Sequence, residues 1–290
     1  MRARLDDLAR AAIADHGALG AYTCYDLATA DAIIGGAERA GLPVVLLVPP
    51  VAAGRARGAA LISALRGMAD AASVAACVQL DHATDADLIV RSVAAGADAV
   101  LVDGSALSTA ENAAFVAEMR SRLPHHTVIE AELGALAGDE DRAVALDADA
   151  SAFTDPAEAG RFVAQSGAQL LAVSIGNVHG AYRGAPRIEH DRLARIQQAT
   201  EVPLVLHGAS GISTADLRAA AARGVGKVNI NTELRGRLLD AVSAALAPAR
   251  LAGDDVATLT AAAAEAVSAF VAESLTALRT PHLSTPSGAH

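Results

Sequence analysis

A single (β/α)8 barrel of the TIM type is the fold that this sequence predicts, and three observations predict it. Short β-rich runs recur eight times along 290 residues with Ala-rich, helix-favouring stretches between them, the arithmetic of successive βα units closing on themselves. Polar side chains able to do chemistry fall at the carboxyl ends of those runs, the face on which such barrels carry their sites. The doubly wound open sheet, the main alternative, lacks its usual mark, because no Gly-x-Gly-x-x-Gly follows the first strand. Length alone suits one large barrel or two ordinary domains. No linker or low-complexity break divides the chain, so residues 1–290 are expected to form one domain.

Taken in order, strands are expected at residues 19–24, 43–48, 74–80, 99–103, 127–133, 170–176, 203–207 and 227–230. Between them, 29–40, 59–71, 85–95, 109–122, 156–166, 189–199 and 213–222 carry helical composition with frequent acidic or Ser/Thr starts. Gly41, Gly96, Gly167 and Gly224 stand where left-handed residues would end four of these helices. Past the eighth strand, 234–278 reads as helical and 279–290 as a polar tail, so extra C-terminal helices are expected. Two connections are long: 134–151, an acidic stretch with little to hold it as a helix, and 176–186, a basic turn rich in glycine.

Composition narrows the partners. Hydrophobic residues make up 52% of the chain, aromatics only 2%, and Trp is absent, so the core must be built from small aliphatic side chains. The formal net charge is −10 with no basic block, which argues against nucleic acid and anionic membrane as partners. Cys24 and Cys77, both expected inside strands, form no disulfide framework and fit a reducing, cytoplasmic setting. Asp6 and Asp7 stand where a signal peptide would need apolar residues. The Ala-rich tract 256–278, interrupted by Glu265 and Glu273, reads as a packed helix and not as a membrane span.

Three strand-like runs end in histidine: Val78-Gln79-Leu80-Asp81-His82, Leu171 through His179, and Pro203-Leu204-Val205-Leu206-His207. One such histidine is usually structural, but three from neighbouring strands make the ligand set of a catalytic Zn²⁺ with open positions. Cobalt, iron and manganese stay open as alternatives. Glu132 is either a further ligand or an acid bonded to a histidine or water. Asp81, beside His82 and facing the other way, suits proton transfer next to a polarised carbonyl; its alternative role is to orient a histidine. Glycine-rich turns offer N–H groups for a phosphate: Gly208-Ala209-Ser210-Gly211, Gly180 with Arg183, and Asn231-Thr232 ahead of a helix.

Leu80-Asp81-His82, Glu130-Ala131-Glu132-Leu133-Gly134, Gly176-Asn177-Val178-His179-Gly180, Leu206-His207-Gly208-Ala209-Ser210 and Lys227-Val228-Asn229-Ile230-Asn231-Thr232 together resemble the motif set of class II ketose-bisphosphate aldolases, from about residue 19 to 233. The resemblance implies a homodimeric or homotetrameric TIM barrel. It also implies Zn²⁺-dependent, reversible cleavage of a ketose phosphate to dihydroxyacetone phosphate and an aldehyde. Carried over, His82, His179 and His207 hold zinc and Asp81 handles the proton of the oxygen that becomes the aldehyde. Asn229 steadies the enediolate, and Glu140 exchanges the proton on the dihydroxyacetone phosphate carbon. Gly180, Gly208, Ser210, Asn231 and Thr232 surround the phosphate, which Arg183 can also grip and near which some members bind a monovalent cation; Ala209 and Ile230 are further substrate-binding positions.

The chain departs from the family pattern in places. Tyr22-Thr23 stands where members usually show Phe-Asn, and Pro49 or Pro50 where they show Ser or Thr. Arg183 replaces a Lys, and Asn231 replaces the Asp of fructose-type or the Ala of tagatose-type members. Two other readings compete: a Schiff-base aldolase using Lys227, the one lysine in the chain, and a metal-dependent hydrolase or silent sugar-phosphate binder.

Overall fold

The computed structural model describes residues 3–134, 136, 145–146, 152–182 and 186–279. Ten strands lie among them: β1 (Leu19–Thr23), β2 (Val44–Val48), β3 (Ala76–Ala83), β4 (Ala99–Val102), β5 (Val128–Leu133), β6 (Ala145–Leu146), β7 (Leu170–Val173), β8 (Ala181–Tyr182), β9 (Leu204–Leu206) and β10 (Val225–Asn229). Eight of them close a barrel in the order β1-β10-β9-β7-β5-β4-β3-β2. All its pairs are parallel, and the ring shuts where Leu19 faces Lys227 and Ala21 faces Asn229. The two-residue strands β6 and β8, which the sequence did not suggest, pair with each other outside the barrel.

Helices join the staves: α1 (Leu5–Ala14), α2 (Leu27–Ala40), α3 (Pro50–Ala53), α4 (Gly58–Ala71), α5 (Ala86–Ala94), α6 (Thr109–Arg122), α7 (Pro156–Ser166), α8 (His190–Ala199), α9 (Thr214–Ala221), α10 (Thr232–Leu251) and α11 (Val256–Ala277). Their starts are capped as the sequence suggests, by Asp26, Asp85, Asp155, Ser213 and Asp255, with a capping box at Ser108 and Glu111. Gly41, Gly96, Gly167 and Gly224 all take positive φ after their helices. The stretch expected as one helical run divides at Gly253 and Asp254, at φ 88 and 60, into α10 and α11.

Alternation along the strands separates two apolar layers. Tyr22, Leu46, Val78, Leu80, Val100, Ile129, Leu171 and Leu206 pack outward against the helices. Leu19, Ala21, Val45, Leu47, Cys77, Ala99, Val128, Leu170, Ala172 and Val205 point inward and form a separate cluster with Leu5, Ala9 and Ala12. Those last three come from α1, a helix beyond those expected from the sequence, whose residues 5, 9 and 12 are buried while the acids at 6 and 7 lie in its first turn. α1 sits against β10, and a Cβ on Gly226 would come within 2.9 Å of the Ala9 carbonyl oxygen. The amino-terminal floor of the barrel is thus apolar and plugged. Inward positions nearer the carboxyl ends are polar: Gln79, Asp81, Glu130, Glu132, Lys227 and Asn229 are all buried there.

α11 is long and apolar enough to cross a membrane by length and composition, with mean hydropathy 1.4 over its apolar window. It packs along α2 and α10. It is tied to the barrel by Tyr22, whose hydroxyl lies 2.7 Å from Ser274 Oγ, and to α2 by the Arg39–Glu265 ion pair. Cys24 lies one residue past β1 and not within it, while Cys77 is in β3; both are buried.

Candidate active site

β3 runs past its expected end at residue 80 and carries Asp81 and His82 inside the strand. Asp81 continues the inward row of Cys77 and Gln79 and is buried. Alternation would send His82 outward into the helix layer. Instead the register with β4 slips between Leu80 and Ala83, and His82 takes φ 38. A side-chain-bearing residue in that conformation costs about 1–3 kcal/mol, and such strain collects at functional sites. The result is that His82 Nδ1 lies 2.8 Å from Asp103 Oδ2, just past β4, so Nε2 is the nitrogen that His82 can offer elsewhere. Burial would raise the Asp103 pKa, but His82 and Ser105 outweigh it and hold the carboxyl well below the usual range.

His207 follows β9 and is fully buried. Its Nε2 lies 2.8 Å from Glu130 Oε1, while Glu130 Oε2 accepts from Lys227 Nζ at 2.8 Å and from Gln79 Nε2 at 2.9 Å. Burial would raise the Glu130 pKa; Lys227 and His207 reverse that and keep it ionised. Burial would lower that of His207, and the hydrogen bond to Glu130 together with the nearby Glu132 carboxylate push it up to about 9 instead. His179 sits in the connection after β7. That connection is tied to His207 by Asn177, whose Nδ2 donates to the Val173 and His207 carbonyls at 3.2 and 3.0 Å.

The three imidazoles converge. Ring centroids are 5.0 Å apart for His82 and His179, 4.8 Å for His82 and His207, and 5.9 Å for His179 and His207. One ring nitrogen from each lies within 4.8 Å of the other two. Glu132 reaches the same centre, with Oε2 3.4 Å from His207 Nδ1 and 3.9 Å from His82 Nδ1. His207 Nδ1 and Glu132 Oε2 are both buried with no hydrogen-bond partner among the described residues. Leaving such atoms unsatisfied is costly, and a cation between them would satisfy both. Three imidazoles with one carboxylate nearby are a donor set that fits zinc. A second acid set, His82, Asp103 and Glu132, shares that spacing.

Around the centre, Asn229 is the last residue of β10, with both amide atoms buried and no hydrogen-bond partner among the described residues. The turns after β7, β9 and β10 meet at the start of α10, where Asn231 holds the N-cap position without a side-chain capping bond. Thr232 Oγ1 donates to the Gly180 carbonyl at 3.4 Å, and the Glu233 N–H donates to Ser210 Oγ at 3.4 Å. Gly180, Ala209, Ser210, Ile230 and Asn231 are buried here. In the same turn the Gly211 N–H donates to Glu233 Oε1 at 3.0 Å.

Glu140 and Arg183 lie outside the described residues. Thr23 is buried at the end of β1, and Pro49 and Pro50 start α3. Lys227 does not suit a Schiff base, since its amine is fully buried and bound to the Glu130 carboxylate, which holds it charged and not as a nucleophile. In the sequence Asp103 ends the expected fourth strand and Glu130 lies within the fifth, and neither has an evident partner there. The signal was there, because an acid one or two strands from each histidine is the pattern of a carboxylate that orients a ligand.

A family model described as fructose-bisphosphate aldolase class-II matches residues 3–281. The chain belongs to this family. This class II aldolase is therefore an enzyme, a carbon–carbon lyase on a TIM barrel. Its structure is similar to the YdjI aldolase of Escherichia coli K12, at 28% identity and TM-score 0.84, over 96% of this chain and 97% of that one. It is similar also to a fructose-1,6-biphosphate aldolase candidate from Coccidioides immitis, at 30% identity and TM-score 0.84, over 95% and 96% of the two chains. Fructose-bisphosphate aldolase of Campylobacter jejuni, at 19% identity and TM-score 0.78 over 96% and 95%, shares the fold.

Proposed function

We propose that this aldolase is zinc-dependent and reversibly cleaves a ketose phosphate to dihydroxyacetone phosphate and an aldehyde. The observation that carries the reading is the convergence of His82, His179 and His207, each able to turn one nitrogen to a common point. Those three would hold the ion, with Glu132 as a further or exchanging ligand. Zinc bound there supplies a Lewis acid for the substrate carbonyl.

The chain's own groups do the rest. In cleavage, Asp81 takes the proton from the hydroxyl beyond the bond that breaks. The electrons of that carbon–carbon bond pass toward the carbonyl, and the hydroxyl carbon departs as the aldehyde. Asn229 donates from its buried amide to the enediolate that remains, and Glu140 returns a proton to its carbon. In condensation each transfer runs backward. The Gly180, Ser210 and Asn231–Thr232 turns, backed by the N-terminus of α10 and by Arg183, would receive the phosphate.

Within the same reading the chain forms one domain and assembles with copies of itself. Support for assembly comes from α10 and α11, which leave Leu239, Leu246, Leu251 and Val256 exposed. The test is a cleavage assay over fructose-1,6-bisphosphate, tagatose-1,6-bisphosphate and ketose monophosphates, read as dihydroxyacetone phosphate formed. At least one should yield product, and Asp81→Ala should abolish it. No product from any of them, or undiminished product from Asp81→Ala, would sink the reading.

A further inference from the structure

The single lysine of this chain is spent inside the barrel. Lys227 and Gln79, both fully buried, donate to one oxygen of Glu130, and the other oxygen of Glu130 meets His207 Nε2. A buried ion pair is seldom more stabilising than apolar residues of similar size, so stability alone is a weak reason for this one. The barrel floor just below it is filled by Val, Leu, Ala and Cys, which shows what an apolar solution looks like in the same fold.

We propose that Lys227 and Gln79, acting through Glu130, are positioning residues for the metal centre: they orient the Glu130 carboxylate so that His207 carries its proton on Nε2 and presents Nδ1 as the ligand nitrogen. The inference rests on the zinc reading above and deepens it. Its logic is one of donors and acceptors. Lys and the Gln amide nitrogen can only donate, so both hold Oε2. Oε1 can only accept while the carboxylate is ionised, so the nitrogen facing it must carry hydrogen. An imidazole neutral enough to bind a metal has one hydrogen, which leaves Nδ1 with the lone pair. Nδ1 is also the atom that lies 3.4 Å from Glu132 at the shared centre. On this account the lysine that a Schiff-base mechanism would have claimed serves the metal from the opposite side of a histidine.

Glu130→Gln tests the chain of donors directly. Facing two donors, the new side chain must turn its carbonyl oxygen to Lys227 and Gln79 and its NH2 to His207. Nε2 then becomes an acceptor, and the proton moves to the nitrogen that should bind the ion. Zinc affinity of the full-length protein, measured by chelator competition, should fall at least tenfold, in the range of about 10–100-fold typical for the partners of metal-bound histidines. The visible spectrum of the cobalt-substituted protein should change with it. Should the variant not fold, nitrogen-15 NMR of the zinc-loaded wild type gives the answer without it. A proton on His207 Nε2 is expected, and a proton on Nδ1 overturns the inference. Unchanged zinc affinity and an unchanged cobalt spectrum in a folded Glu130→Gln protein would overturn it too, leaving the pair a purely structural one. If the wild type itself binds no zinc, the proposed function fails instead, and the two failures are told apart.

Discussion

Gly208→Ala offers the sharpest link between backbone geometry and the metal centre. Gly208 follows His207 at φ 58, a conformation that costs an Ala about 1 kcal/mol. Space is the larger obstacle. A Cβ there would lie 2.0 Å from the Val178 carbonyl oxygen and 2.6 Å from its carbon, whereas ordinary contact begins at 3.4 Å. The two turns must therefore separate by roughly 1.4 Å, and overpacking of this kind adds about 1–3 kcal/mol. Destabilisation on the order of 3 kcal/mol should lower the melting temperature by about 5–10 °C in a chain of this size. Val178 precedes His179, so the separation also pulls one histidine from another, and a misplacement near 1 Å can cost about 10²-fold in rate. Thermal melts, zinc affinity and cleavage rate should all fall together. A useful contrast is Gly67→Ala, in the exposed middle of α4 with open space around its Cβ, which should stabilise by about 0.5–1 kcal/mol. A Gly208→Ala protein with wild-type melting temperature and rate would refute the geometry claimed for the His179–His207 junction.

Three further outcomes follow from particular contacts. Asp81→Asn should lower kcat by about 10²–10⁴-fold while the protein still melts and binds zinc as the wild type does, because it removes a proton acceptor and keeps the shape. Tyr22→Phe removes the hydroxyl 2.7 Å from Ser274 Oγ that joins β1 to α11. It should cost about 1 kcal/mol in denaturant titration and leave cleavage untouched. Burial pushes the Cys24 thiol up to about 12 and raises that of Cys77 as well, so neither forms thiolate near pH 8. A chromogenic disulfide reagent should then detect no thiol in the native protein and both after unfolding.

Much of this was legible because the barrel imposes simple periods. The eight staves, their helices and the four glycine caps followed from apolar runs and turn chemistry, and the three histidines announced themselves by ending three such runs. What escaped was what depends on neighbours distant in sequence. The orienting roles of Asp103 and Glu130 exist only because β4 lies beside β3 and because residues 79, 130, 207 and 227 meet inside the ring. The inward turn of His82 depends on a register slip that no local propensity encodes. α1 carries a weak local signal, because only Leu5, Ala9 and Ala12 form its buried face and acids follow its first residue. The reach of Gly211 to Glu233 shows that a glycine-rich turn tells of available N–H groups without telling which of them are already taken.

The central claim is that three imidazoles share one zinc ion on which cleavage depends. Its most direct test is metal content measured alongside activity: purified protein, protein stripped with EDTA, and stripped protein with zinc restored, each compared with His82→Ala, His179→Ala and His207→Ala. The account predicts about one zinc per chain, cleavage lost on stripping and regained with zinc, and neither retained by the three variants. Full cleavage in the stripped protein, or zinc held as tightly without the histidines, would contradict it.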